Sequence, residues 1–335
     1  MSGSKFVRAL LVLLILLSVI GCFISCRKEE EAVPQAVYYT VTFDTKGGEE
    51  IPSKTILEGA KIPDPGAPVR EGYVFNGWMH NGAKWNFDSR TVKEDMTLEA
   101  QWFSADVVFA YEINEETQTA TVTKLKEKLE NVEVPSVIGG FPVTAIGDGV
   151  FSGLYSSKVH SIRVASSVTT VGEGAFADLE GIEILFDDGC ALTSIGSEAF
   201  ANCTGLKSVP LGEGLREIAP WSFSGCTALK EISIHKTVTV IRVNAFGGCA
   251  ALQDVILHEG VSTVEDGAFE DCDALRTVYY YGSAEQIDAL LDQNTARMND
   301  ALQEATIYLY AQAKPSAEGA YGSWYWDENG KIRLW

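Results

Sequence analysis

Six phenylalanines recur at nearly constant spacing, and no other feature restricts the fold as much. Phe151, Phe176, Phe200, Phe223, Phe246 and Phe269 follow one another at spacings of 25, 24, 23, 23 and 23. The segments "WSFSGCTALKEISIHKT", "NAFGGCAALQDVILHEG" and "GAFEDCDALRTVYYYGS", which begin at Trp221, Asn244 and Gly267, align throughout. Five residues before each phenylalanine stands Ile146, Val171, Ile195, Ile218, Ile241 or Val264. Three residues after it stands Leu154, Leu179, Cys203, Cys226, Cys249 or Cys272. A unit this short cannot enclose its own apolar face, so neighbouring units must stack and share one continuous core. The period therefore predicts a quasi-one-dimensional array of coils.

Within the regular coils a second pattern follows the cysteine: Leu206, Val209, Leu211; Leu229, Ile232, Ile234; Leu252, Val255, Leu257; Leu275, Val278, Tyr280. The one-residue gap between the last two members places both on one face of a strand. Each coil is thus expected to give one short strand to a parallel sheet. The slot shared by Leu and Cys reads as a buried apolar position, where free cysteine packs as a modest hydrophobe. Parallel side-chain vectors on adjacent coils give poor disulfide geometry, so these thiols are expected to be unpaired, buried and inert. On that view Cys226→Ser should cost about 1 to 3 kcal/mol by burying a hydroxyl among apolar groups. Cys190 lies outside the register, and the sequence offers no reading of it.

The units, of which "AFANCTGLKSVPLGEGLREIA" is typical, resemble the BspA-like leucine-rich repeat family over about residues 130 to 282. The resemblance implies a curved solenoid on a secreted or surface bacterial protein, often used in adhesion or partner binding. After Tyr281 the repeat register fails. "SAEQIDALLDQNTARMNDALQEA" has helical spacing through Ile287, Leu290 and Leu291, "TIYLYAQ" reads as a strand, and the tail as a hairpin turning at Asn329-Gly330. The tail also resembles the usual ending of that family, and residues 283–335 are expected to form a C-terminal cap.

Upstream, "YYTVTFDTKGGEEIP" reads as a strand entering a hairpin, followed by short alternating runs broken by Gly and Pro. Tyr73, Phe75, Trp78, Trp85, Phe87 and Trp102 are expected to supply an aromatic core. "VTFDTKGG", "REGYVFNGW" and "TLEAQW" resemble the Listeria/Bacteroides repeat of internalin-type and other bacterial surface proteins, which implies a compact β-grasp-like module with no catalytic residues. Residues 104–145 read as a hairpin that leads into the array and covers its first coil. The expected fold is mainly β with short helical and turn segments. Its divisions are a lipoprotein-type signal (1–22), a linker (23–36), the β module (37–103), the leucine-rich repeat solenoid with its N-terminal cap (104–282) and the C-terminal cap (283–335).

Lys5 and Arg8 precede an uncharged run from Ala9 to Cys26, the pattern of an export signal or anchor. "LSVIGC" resembles the bacterial lipoprotein processing box, which implies lipidation at Cys22. The uncharged run also reaches the lower limit of length for spanning a bilayer, so an uncleaved transmembrane helix is the alternative. Either reading places the remaining chain outside the cytoplasmic membrane, anchored at the cell surface. The net charge of −20, from 26 basic and 46 acidic residues, opposes nucleic acid as a partner.

No phosphate loop, nucleophile elbow or metalloprotease motif is present, and neither enzymatic activity nor a cofactor is expected. His235 and His258 occupy the same position one coil apart, but two imidazoles without a third ligand make a weak zinc or nickel site. By register the outward positions are Ser161, Arg163, Ala165; Glu183, Leu185, Asp187; Ser208, Pro210, Gly212; Glu231, Ser233, His235; Asp254, Ile256, His258; Thr277, Tyr279, Tyr281. The last coils gather His235, Ile256, His258, Tyr279 and Tyr281, side chains suited to contacting a protein or glycan on a host or neighbouring cell. The alternative is that Tyr279 and Tyr281 meet the C-terminal cap. A passive stalk would show only bland outward residues.

Overall fold

The computed structural model describes residues 36–127, 129–154, 158–292, 299–312, 322–327 and 331–334. The export segment with Cys22 and Cys26, most of the linker, and the Asn329-Gly330 turn lie outside the described residues.

The first unit is a five-stranded sheet built from β1 (Tyr38–Asp44), β2 (Lys54–Leu57), β3 (Tyr73–His80), β4 (Ala83–Lys84) and β5 (Met96–Ser104). The strand order is β2-β1-β5-β3-β4, with β1 and β5 parallel and the other pairs antiparallel. Alternation buries Val41 and Phe43 on β1 and Met96, Leu98 and Ala100 on β5. Trp78 is buried, with Phe43 and Phe75 edge-on at 5.1 and 5.5 Å. Tyr73 departs from the aromatic core expected of it. It lies on the exposed side of β3, and the Arg70 guanidinium covers its ring at 3.8 Å. Arg70 supplies a cation–π contact there, so the ring has no need of the core.

The unit packs directly on the array that follows. Val74 of β3 is fully buried within the core of the repeats, and Lys84 Nζ pairs with Glu130 at 2.7 Å. A single helical turn, α1 (Ala105–Val108), leads into an antiparallel hairpin of β6 (Phe109–Asn114) and β7 (Thr119–Leu125). Phe109 of that hairpin meets Phe151 edge-on at 6.4 Å. The segment that follows gives β8 (Asn131–Val134), β9 (Val137–Ile138) and β10 (Phe141–Ile146).

The coils then contribute β11 (Ser161–Val164), β12 (Thr170–Val171), β13 (Glu183–Phe186), β14 (Ser194–Ile195), β15 (Glu217–Ile218), β16 (Glu231–Ser233), β17 (Val240–Ile241), β18 (Asp254–His258), β19 (Thr263–Val264) and β20 (Thr277–Tyr281). They form two sets of parallel pairs. The expected strand carries β8, β11 and β13, then β16, β18 and β20. A second set of strands, two residues long except for β10 and unforeseen in the sequence, ends at the aliphatic position five residues before each phenylalanine. It joins β10, β12 and β14, then β15, β17 and β19.

Both sets are interrupted at one coil. The trio Leu206, Val209, Leu211 forms no strand, and only an isolated bridge joins Leu211 to Leu192. Proline explains this: Pro210 has no N–H for a ladder, and its carbonyl instead accepts from Leu192 N at 2.8 Å. The irregular stretch includes Cys190, which is buried and donates from Sγ to Val168 O at 3.4 Å. Ala165 and Gly212, expected to face outward, are buried.

The six phenylalanines are fully buried and stack in one column, with adjacent ring centroids 5.1 to 5.4 Å apart. Each of the first five donates its N–H to the carbonyl one coil further on, as Phe223 does to Ala245 O at 2.9 Å. Beyond β20 come α2 (Ala284–Asp292), α3 (Asp300–Glu304), β21 (Thr306–Tyr310), β22 (Gly322–Trp326) and β23 (Ile332–Leu334).

The strand register does not fail at Tyr281. β21 pairs parallel to β20 with Tyr279 opposite Tyr308, β22 pairs parallel to β21, and β23 closes the expected antiparallel hairpin. The helical insertion makes this coil longer than its predecessors and hides the periodicity. Phe269, the last phenylalanine of the column, donates to Asn299 Oδ1 at 2.9 Å, and Asn299 Nδ2 donates to Glu265 O at 3.0 Å.

Candidate functional site

Parallel pairing brings the five candidate residues onto one sheet face. Ser233 lies opposite Ile256 and Ile256 opposite Tyr279, while His258 lies opposite Tyr281. The rings follow the same order. His235 and His258 are 6.1 Å apart and tilted, His258 and Tyr281 stack nearly coplanar at 4.1 Å, and Tyr281 approaches Tyr310 at 4.6 Å. Tyr279 stacks on Tyr308 at 6.0 Å.

Trp324 of β22 is fully buried and stands edge-on to Tyr279 at 5.4 Å, to Tyr281 at 4.8 Å and to Tyr310 at 5.1 Å. Gly322 opposite Tyr308 leaves room for this arrangement, since a Cβ there would come within 2.5 Å of the Tyr308 ring. Trp326 Nε1 donates to the Tyr281 hydroxyl. The C-terminal strands thus occupy much of the ring area that a ligand would use on Tyr279 and Tyr281. Ser233 is exposed, while His235, Ile256 and His258 are half-buried like the tyrosines, His235 and His258 keeping 23% and 21% of their side-chain surface.

The histidines have local partners. His235 Nδ1 lies 3.1 Å from Thr237 Oγ1, and its Nε2 lies 3.4 Å from Glu213 Oε1. Burial holds His258 below the ordinary imidazole range, partly offset by Glu259, and it is therefore neutral at neutral pH. Among the described residues no group of three or more His, Cys, Asp or Glu could hold a metal ion. No helix among them is long and apolar enough to cross a membrane.

Among the described residues five cysteines are free and buried. The four in register do more than fill an apolar slot: each donates from Sγ to the phenylalanine carbonyl of the preceding coil. The pairs are Cys203 to Phe176, Cys226 to Phe200, Cys249 to Phe223 and Cys272 to Phe246, at 3.0 to 3.2 Å. Phe200 O also accepts from Cys203 N at 3.2 Å, so the thiol supplies its second donor. This revises the serine expectation, because a serine hydroxyl in place of the Cys226 thiol can reach the same carbonyl. Cys226→Ser should cost about 1 kcal/mol, the low end of the range expected from burial alone.

Burial pushes the Cys203 and Cys272 thiols up to about 12 and Cys190 to about 11. Burial also raises Cys226 and Cys249 well above the usual thiol value. All five should stay protonated at pH 8 and resist a thiol reagent until denaturant is added. Rapid modification of the native protein would contradict burial.

A model of the BspA type leucine rich repeat region matches residues 124–191 and 182–296, and one of the Listeria-Bacteroides repeat domain matches residues 39–101. Internalin H of Listeria monocytogenes is 32% identical over 130 residues, 37% of this chain and 21% of that protein. A putative membrane protein of Evansella cellulosilytica is 34% identical over 79 residues, 23% of this chain and 12% of the relative. The chain therefore matches only a minor part of these relatives' length.

Among solved structures, a T. pallidum leucine-rich repeat protein is 24% identical with a TM-score of 0.44, the match covering 59% of this chain and 92% of that one. A leucine-rich cell surface protein of Faecalibacterium prausnitzii is 22% identical with a TM-score of 0.42, covering 68% and 59%. With the repeat model matching just over half of the chain in six copies, the protein belongs to the BspA-type leucine-rich repeat family and carries a Listeria-Bacteroides repeat domain before its repeats.

Proposed function

We propose that this is a non-enzymatic surface lipoprotein, anchored through Cys22, whose repeat array recognises a protein on a host or neighbouring cell. The hairpin β6–β7 and the segment after Tyr281 serve as caps of a solenoid. The 37–103 unit serves as a β-grasp-like spacer, a reading supported by its mixed sheet order. The observation that carries the functional reading is the rigid parallel sheet β16-β18-β20, which presents His235, Ile256, His258, Tyr279 and Tyr281 in fixed order. A face already ordered by the fold loses little entropy on binding. Because the two tyrosines are partly committed to Trp324, Ile256 and His258 are its contact centre, and the tyrosine edges border it.

The test is an array of cell-surface and extracellular-matrix proteins, probed with the wild type and with an Ile256→Asp, His258→Ala double variant. A partner held by the wild type and weakened at least about tenfold by the variant is the expected result. Equal binding by the folded variant would remove this face as the site, and binding that tracks residues 37–103 would make the array a stalk.

A further inference from the structure

Each coil bends its backbone into the left-handed region twice, two residues before its phenylalanine and two residues after. At the first bend Gly149, Gly174 and Gly267 stand in three coils and Asn244 in another. In the third and fourth coils the same bend is made by Glu198, at φ 56°, and Trp221, at φ 52°. Glycine adopts this conformation freely and asparagine tolerates it, whereas a larger side chain brings its Cβ against the following carbonyl. The fold therefore holds a glutamate and a tryptophan at a bend where three sister coils use glycine and one asparagine. Strain kept at these two neighbouring positions points to a use for their side chains.

Trp221 is 41% exposed, and among the described residues from 146 to 282 it is the one large hydrophobic side chain left exposed. Its polar edge is anchored. With the Asn244 amide turned so that its oxygen meets the indole, Trp221 Nε1 donates to Asn244 Oδ1 at 3.1 Å while Asn244 Nδ2 donates to Gly267 O at 3.1 Å. That orientation satisfies both groups, which the reverse one does not. The ring is held from the next coil, and among the described residues no aromatic ring stacks on it. The contrast with Tyr279 and Tyr281, covered by Trp324, is direct.

Beside the indole lies a cleft of about 240 Å³ lined by Glu198, Ala201, Asn202, Trp221 and Ser224. Adjacent turns thus set a carboxylate, an amide and a hydroxyl around one aromatic surface. Asn202 Nδ2 is held by Asp178 at 2.8 Å, and the Ser224 hydroxyl donates to Gly247 O at 3.1 Å. The cleft carries one formal negative charge, from Glu198, and no cation, which opposes phosphate and sulfate. An aromatic face flanked by hydrogen-bonding groups suits a ligand with an aliphatic face and a hydroxyl rim.

We infer that Trp221, with Glu198, Asn202 and Ser224, forms a binding site for a neutral pyranose unit of a glycan. The site lies on the turns that flank Phe200 and Phe223 and is independent of protein recognition by the strand face. The test is calorimetric titration of the purified full chain in detergent with cellotetraose, chitotetraose and mannotetraose. At least one should bind with Kd on the order of 0.1 to 1 mM. Trp221→Gly should abolish that binding while leaving Tm unchanged or raised, because glycine relieves the left-handed bend. Trp221→Phe keeps an aromatic face and should retain binding within about tenfold. The Ile256→Asp, His258→Ala variant should bind the sugar normally. No heat with any of the three sugars at about 10 mM would overturn the proposal. So would equal binding by Trp221→Gly, or binding of a lysine tetrapeptide at this cleft in place of the sugars.

Discussion

Phe223→Ala should destabilise the array by about 3 to 5 kcal/mol, the range for removing a large side chain from a core that cannot collapse around the gap. Phe223 is fully buried, with Phe200 and Phe246 stacked on its two faces at 5.4 Å each. Adjacent coils are fixed by backbone hydrogen bonds on either side of it, so they cannot close the cavity without breaking those bonds. The fourth coil also adjoins the place where both strand sets are interrupted, between β13 and β16 and between β14 and β15. Repeat arrays are stabilised largely by neighbour contacts, so weakening one junction should let the two halves unfold separately. Urea unfolding followed by circular dichroism and by tryptophan fluorescence should give two non-coincident transitions in the variant. A single transition displaced by less than about 1 kcal/mol would show that the column is not the main support.

Asn299→Leu should cost about 1 to 3 kcal/mol, because it leaves the buried Phe269 N–H without its partner and takes from Glu265 O one of its two donors, the other being Ala268 N–H. Asn299 is fully buried. Its side-chain oxygen accepts from Phe269 N–H and its nitrogen donates to Glu265 O, which places an amide side chain where the next coil's backbone would stand. Leucine is close in size, so the loss comes from hydrogen bonding and not from volume. Hydrogen exchange would locate the effect: the Phe269 amide should exchange much faster in Asn299→Leu, with amides near Phe176 unchanged. Unaltered protection at Phe269 would refute the role assigned to Asn299.

These two residues differ in how far the sequence announces them. Phe223 is legible because stacking makes equal positions in successive coils touch, so one structural demand is written six times at a nearly constant interval. The same reasoning found the buried cysteine slot and the strand position that carries Ile256 and His258. It missed the thiol donation to the preceding phenylalanine carbonyl, since Leu154 and Leu179 fill the slot without a donor and the pattern records only what all coils share. It also missed the second, two-residue strands, too short to show an alternation of their own.

Tertiary structure alone decided the rest. Asn299 meets Phe269, and Trp324 meets Tyr281, across separations along the chain that do not belong to the repeat. Whether the two tyrosines face solvent depends on where β22 returns, and no local preference of the tyrosines sets that path. Trp221 gives no signal in the chain either, because a left-handed bend is recognisable from glycine and concealed when another residue occupies it. A periodic demand is repeated and can be read from the sequence. A contact made once, between residues brought together only by the completed fold, leaves no pattern to read.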